Sequence, residues 1–419
     1  MQPPPTTLWH LVSRQPGLRG VLVMRAADEL ASQVLNVAVG WYVYAATRDP
    51  MSLAYVGLAQ FLPNVGLVLV AGQAADRFDR RRIIAAAQLA QTLFLVAFAL
   101  WLALAPPSVW PVYVLLLAIG AARAFASPAM SALLPQVVSA ETFPRAVAIT
   151  SSAFQICTIA GPAVGGLVYA AIGPATFGVA AALTLLAMTQ AWCLKAGHGA
   201  AAAAADKLAD KSIFAGIRYV RFNRLLLGLI SLDLFAVLLG GVSALLPIYA
   251  QDILIVGPIG LGCLRCAPGA GAAVVGLALA HRTMGHGAGR LMLACVAGFG
   301  AATVVFALST DFWLSLAALA AAGGFDMVSM VIRHTLVQIA TPDAMRGRVS
   351  AVNGIFIGAS AELGEFESGV VAAVLGPVPA AVVGGLGTLA VVVLWSRLFP
   401  ELRRADSLIA TSGEATHDR

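Results

Sequence analysis

The sequence predicts an all-α polytopic membrane protein with twelve transmembrane helices arranged as two six-helix pseudo-repeat halves. Three observations predict it. Apolar runs of spanning length recur along the chain, basic residues gather in the loops of one side, and the two halves carry matching motifs. Of 419 residues, 60% are hydrophobic and only 11% are charged, with mean hydropathy +0.87. A water-soluble chain of this size exposes far more charge, so lipid is the solvent for most of it.

The apolar runs of the first half fall at 19–46, 52–74, 83–105, 109–135, 147–170 and 174–195. Those of the second fall at 224–250, 262–281, 290–308, 312–338, 349–375 and 379–398. Each is long enough to cross a hydrocarbon layer as a helix. The expected organisation is a cytoplasmic tail (1–18), a first half (19–195), a linker (196–223), a second half (224–398) and a second tail (399–419). The linker region, Lys195 to Arg224, holds six Lys/Arg and the alanine run Ala200 to Ala205. The opening residues are Pro-rich, and no small-residue cleavage site follows the first apolar run, which reads as a retained helix.

Orientation follows from the distribution of Lys and Arg. With both termini cytoplasmic, the even-numbered loops and tails hold 21 of the 26 Lys/Arg, while the opposite side holds Arg48 and Arg265. Arg25, Arg123 and Arg333 fall within spans. This is the positive-inside pattern. It also explains the net charge of +6 without nucleic acid as a partner. The expected location is the bacterial cytoplasmic (inner) membrane.

Internal similarity supports the two halves. Glu141-Thr-Phe-Pro-Arg145, before the fifth run, matches Asp343-Ala-Met-Arg346-Gly-Arg348, before the eleventh. Further in, Gly161-Pro-Ala-Val-Gly-Gly166 aligns with Gly364-Glu-Phe-Glu-Ser-Gly369. Repeats of this kind place a binding site between halves near mid-membrane.

With these residues on the page, the chain resembles the major facilitator superfamily over nearly its whole length. The loop after the second run, Gly72, Asp76, Arg77, Arg80, Arg81 and Arg82, looks like that superfamily's most specific motif. Arg123 and the Gly-Pro-x-x-Gly-Gly of the fifth run resemble two further motifs, the second associated with exporters. Arg333, Thr341-Pro-Asp343, Arg346-Gly-Arg348 and Glu362 to Gly369 resemble a bacterial branch that includes enterobactin-exporter-like carriers. Two departures stand out. Asp79 replaces the usual glycine of the first motif, and Cys157 and Ala148 stand where the fifth-run motif has glycines.

The loop motif implies a latch. Asp76 is expected to cap the third helix, and the arginines to pair with acids on the neighbouring half in one access state. The alternative is a plain topogenic basic loop. In the fifth run, Gly161, Gly165 and Gly166 around Pro162 permit close helix approach and a kink.

Ionisable residues inside spans are the sharpest functional signal, because each costs about 2.5–3.5 kcal/mol on insertion scales. Candidate proton-coupling residues are Asp28, Asp233, Asp326, Glu362 and Glu365. Candidate substrate or cavity residues are Arg25, Gln33, Asn36, Arg123, Arg265 and Arg333. Arg25 stands three and four positions before Asp28 and Glu29, so part of that cluster is expected to be self-neutralised. Glu365 and Glu367 occupy the positions that Pro162 and Val164 hold in the first half. A carboxylate moved between low dielectric and an arginine or water changes its proton affinity, which can couple proton binding to access state. The alternative is a static ion-pair network that holds the helices in register.

Cys263-Leu-Arg-Cys266 has the spacing of a disulfide or metal clip, but one pair without a second ligand set is a weak signal. No metal site and no cofactor are expected. Nucleotide-binding loops and nucleophile constellations are absent from the sequence, so it is not read as an enzyme. The leading reading is a secondary active exporter of small organic molecules. It works by alternating access as a proton antiporter, functional as a monomer, with a small-molecule substrate, protons and the lipid bilayer as partners. An importer or uncoupled facilitator on the same fold, and a non-transporting membrane scaffold, are the competing readings.

Overall fold

The computed structural model describes residues 15–104, 108–139, 141–194, 213–280 and 287–405. Much of the expected linker and most of both expected tails lie outside the described residues. The elements are α1 (Pro16–Thr47), α2 (Pro50–Arg77), α3 (Arg80–Leu104), α4 (Trp110–Val137), α5 (Phe143–Ile172), α6 (Thr176–Cys193), α7 (Ile213–Phe222) and α8 (Arg224–Gly240). They continue with α9 (Gly257–Ala280), α10 (Ala288–Leu308), α11 (Phe312–Ile339), α12 (Asp343–Leu375), α13 (Pro377–Leu398) and α14 (Pro400–Arg404). No strand occurs among the described residues.

Eight helical stretches among the described residues are long and apolar enough to cross a membrane, one of them covering α5 and α6 together. Three long helices stand outside that set: α1, α2 and α12, of 32, 28 and 33 residues. At 1.5 Å per residue all three exceed a hydrocarbon core of about 30 Å. Two of them, α1 and α12, carry the clusters of charged residues noted above. Large apolar side chains are exposed along the outer surface, including Leu104, Val274, Leu277, Trp110 and Trp313. That surface suits a lipid solvent, in which an outward leucine costs nothing.

The chain divides into two compact units: Met1–Asp206 with Leu246–Cys266, and Lys207–Leu245 with Ala267–Arg419. In the first, α1 packs on α5 and α6, α2 on α4, and α3 on α4 and α6. Its core joins Leu18, Val21 and Met24 of α1 to Ile84 of α3, Leu133 of α4 and Ala187 of α6. In the second, α8 packs on α12 and α13, and α10 on α11 and α13. Leu226, Leu229, Met292, Ile332 and Val349 are central to its core.

Two local features differ from the sequence reading. The apolar run 224–250 is not one continuous helix. It breaks after Gly240, then resumes as short 3-10 and α turns and a π-helical turn over Tyr249–Ile253. Ser368 of α12 donates to the freed carbonyl of Gly241 at 2.7 Å, so the interruption is satisfied locally. The second difference concerns Asp76, which falls in the last turn of α2 and not at the start of α3. Asp79 takes that role. Its Oδ1 accepts from the Arg81 amide at 3.0 Å, and its carbonyl from Ile83 at 3.1 Å.

Candidate transport sites within each unit

Around the motif that joins α2 to α3, Arg80 donates to the carbonyls of Ala75 in α2 and Ala132 in α4 at 3.3 and 3.1 Å. A cation at these helix C-termini complements the dipoles. Arg81 pairs with Asp79 at 2.7 Å and donates to the Leu194 carbonyl at 2.5 Å. The hydrogen bond from Arg81 holds the Asp79 carboxyl below the usual carboxylate range. Any stability it lends is therefore present above the ordinary aspartate pKa and lost as pH falls through the lowered value. Arg77 is exposed, and the side chain of Asp76 lies outside the described residues. A Cβ at Gly72 would meet nothing within 4 Å. Gly72→Ala is therefore expected to raise stability by about 0.5–1 kcal/mol, as for a glycine inside a helix, measured as a higher thermal midpoint.

The polar face of α1 meets polar side chains of α3 and α5. Gln88 of α3, fully buried, donates to Asp28 Oδ1 at 2.6 Å. Glu29 accepts from Gln33 at 2.7 Å and from Thr158 of α5 at 2.8 Å. Arg25 feels the charge of Asp28. Neither Arg25 nor Arg123 of α4 makes an ion pair within 4.0 Å among the described residues. The carboxylates thus turn to an amide of α3, an amide of α1 itself and a hydroxyl of α5, and both guanidinium groups are half-buried. Asn36 is half-buried one turn beyond Gln33.

The sequence reading missed the α3 contribution. Gln88, Gln91 and Thr92 are all buried, and Thr92 bonds Thr184 of α6 at 2.8 Å. Their spacing in an otherwise apolar run, three and four apart, was the available signal.

The glycines of α5 set its distance from α1. A Cβ at Gly161 would lie 2.6 Å from Cβ of Gln33, and one at Gly165 3.0 Å from Cα of Val34. Pro162, between them, is buried in the same helix. Gly166 faces elsewhere, where a Cβ would lie 2.5 Å from the Pro258 carbonyl oxygen and 3.1 Å from Cα of Gly262.

That contact belongs to a larger hold on Leu246–Cys266, a stretch that the sequence reading placed inside 224–398. Tyr44 and Arg48 at the end of α1 both bond Asp252, and Gln251 donates to the Trp41 carbonyl at 3.2 Å. These bonds tie the stretch to α1 within the first unit. Arg265 comes close to α1, since a Cβ at Gly40 would lie 3.2 Å from its guanidinium. Arg48 and Asp252 are 59% and 38% exposed. Arg48→Ala is therefore expected to change stability by no more than about 1 kcal/mol, measured by thermal unfolding. Cys263 and Cys266 are free thiols one helical turn apart in α9.

In the second unit, Asp233 of α8 and Arg333 of α11 form a salt bridge with side chains only 7% and 5% exposed. Asp326, two turns before Arg333 on the same helix, lines a small cavity with Asp233 and Ser329. On α12, Glu362, Glu365 and Glu367 are half-buried. Ser368 donates to Glu367 at 3.4 Å. A Cβ at Gly364 would lie 3.0 Å from the Leu238 carbonyl, so α12 approaches α8 closely at this point. Trp395 is an internal bridge as well as an aromatic at a helix end, donating to Ser231 at 2.9 Å. Among the described residues no cluster of three or more His, Cys, Asp or Glu could hold a metal ion.

With this geometry in view, the comparisons with known proteins are decisive. The family model described as transmembrane secretion effector, of the major facilitator type, matches residues 13–417. The chain belongs to this family of major facilitator transporters. The enterobactin exporter EntS of Escherichia coli is 30% identical over 404 residues, covering 94% of each chain. The same protein of Escherichia fergusonii matches equally. Among solved structures, the nucleoside transporter NupG is 12% identical with a TM-score of 0.70, covering 91% of this chain and 98% of its own. A bacterial homologue of the lysosomal transporter Spinster, inward-facing and occupied, has 13% identity and a TM-score of 0.71, covering 94% and 98%. At these identities the structures establish the fold alone. The protein is a multi-pass membrane transporter, not an enzyme.

Proposed function

We propose that this transporter exports small organic molecules by alternating access, as a proton antiporter of the bacterial inner membrane with both termini cytoplasmic. The whole-length likeness to an exporter carries the export reading. Enterobactin, which that relative exports by name, is the first compound to assay. In this reading twelve helices form two six-helix halves. Pairings of α1 with α5 and α6 in one unit, and of α8 with α12 and α13 in the other, support it. So do the matching small-residue faces at Gly161/Gly165 and Gly364/Ser368.

Arg25 and Arg123, half-buried on two helices that touch, attract an anionic group of the substrate, and Gln33 and Asn36 orient its polar atoms. Asp28 and the α12 glutamates exchange protons with the two sides in turn. The hold on 246–266 is made in one access state and released in the other.

Everted membrane vesicles energised with a proton gradient test this reading. Enterobactin added outside should enter wild-type vesicles and partly collapse the gradient, and Asp28→Asn should abolish both. Entry without collapse, retained in Asp28→Asn, would indicate an uncoupled facilitator.

A further inference from the structure

The short helix that leads into α8 walls a cavity that transport does not use. Ala215, Arg218, Tyr219 and Phe222 of α7 stand at i, i+3, i+4 and i+7, so a single helical face supplies one wall. Met345 and Arg348, in the first two turns of α12, supply the other. The space between them is about 340 Å³. Gly216 lets the two helices meet: a Cβ there would lie 2.9 Å from the Arg348 carbonyl oxygen and 3.0 Å from Cγ2 of Val352. Val220, one turn on, is buried in the core of this unit, and Tyr219 and Met345 pack against that core. The cavity is therefore preformed.

Its charge is one-sided. Arg218 and Arg348 both line it, and neither forms an ion pair within 4.0 Å among the described residues. Arg348 is half-buried and donates to the Met345 sulfur at 3.3 Å, a weak acceptor for a cation. The acids of adjoining elements have partners of their own. Asp343 pairs with Arg346 at 2.7 Å, and Glu401 with Arg224 at 3.8 Å. Two guanidinium groups on one cavity, with no carboxylate in its lining, suit a phosphate.

The location selects the source of that phosphate. Asn223 alone separates α7 from α8, and its side chain caps α8 by accepting from the amides of Leu225 and Leu226 at 3.1 and 3.2 Å. Arg224 opens a stretch apolar and long enough to cross a membrane, so the cavity lies where hydrocarbon gives way to water. On α7, Ile217 and Phe222 are 43% and 81% exposed. A small soluble anion would leave Phe222 in water, whereas a lipid covers it.

We infer that this cavity binds the headgroup of an anionic phospholipid. Arg218 and Arg348 hold the phosphate, and an acyl chain lies against Phe222. Lipid binding here depends on neither the direction nor the substrate of transport.

Native mass spectrometry of the full-length protein in detergent, with dioleoyl phosphatidylglycerol added, tests this. Arg218→Ala and Arg348→Ala should each weaken binding of the first lipid about fivefold, the worth of one arginine at an anionic lipid surface. Neither should alter the weaker binding of dioleoyl phosphatidylcholine. Arg403→Ala with Arg404→Ala, which removes two exposed charges of α14 outside the cavity, should leave phosphatidylglycerol binding unchanged. Phe222→Glu places an anion at an exposed position without touching the core, so it serves even if an arginine variant fails to fold. It should weaken phosphatidylglycerol by a similar factor.

Equal affinity for the two lipids, or an equal loss in the α14 variant, would overturn the inference and leave only diffuse surface charge. Inorganic phosphate that displaces phosphatidylglycerol at matching concentration would overturn it in favour of a soluble anion.

Discussion

Arg333→Ala is expected to cost about 3–5 kcal/mol of stability, the usual result of breaking a buried ion pair from one side. Its side chain is 5% exposed and pairs with an Asp233 that is 7% exposed. Removing the guanidinium leaves Asp233 and Asp326 together in a low-dielectric region with no cation between them. Among the described residues no second cation pairs with Asp233, so the folded state bears the loss. The double variant Asp233→Asn with Arg333→Gln should be less destabilised than Arg333→Ala, because it removes both charges and leaves groups able to hydrogen-bond. Thermal unfolding of the purified protein in detergent checks this ordering. If both variants fell equally, the pair would be contributing shape and not charge compensation.

Gly166→Val is expected to have the second large effect, and a different one. The added Cβ would stand 2.5 Å from the Pro258 carbonyl oxygen, which is backbone and cannot rotate aside. Overpacking of this kind costs about 1–3 kcal/mol. Spent against one arrangement of the 257–266 stretch, that corresponds to about a 5–150-fold shift in its population.

A cysteine pair at Ala163 and Gly262, in a background without other cysteines, reports the arrangement directly. A Cβ at Gly262 would lie 3.2 Å from Cα of Ala163. The pair should cross-link readily with Gly166 present and much more slowly with Gly166→Val. Unchanged cross-linking would mean that α5 and α9 part without this glycine's help.

Much of this was legible in the sequence, and the failures have physical causes. Helix positions follow from the length of the apolar runs. The run 224–250 hid a break, because residues on both sides of Gly240-Gly241 are equally apolar and only backbone hydrogen bonding reveals it. Asp76 and Asp79 flank the same short loop, and a shift of three residues decides which ends α2 and which caps α3.

The buried charges were identifiable one by one, but their partners were not. Asp326, Ser329 and Arg333 share a face by spacing alone, whereas Asp233 joins them only through packing of α8. The Gln88 bond to Asp28, and the Asp252 bonds to Tyr44 and Arg48, connect helices far apart in the chain, where periodicity is silent.

The proposed function is outward transport of a small organic molecule against its gradient. The most direct test is untargeted mass-spectrometric profiling of cells lacking their own efflux pumps, inside the cells and in the medium. Cells expressing the wild-type protein would be compared with cells expressing Asp28→Asn. At least one compound should be depleted inside and enriched outside with wild type alone, the difference vanishing when a protonophore is added. Profiles showing a compound enriched inside wild-type cells would contradict it and make the protein an importer.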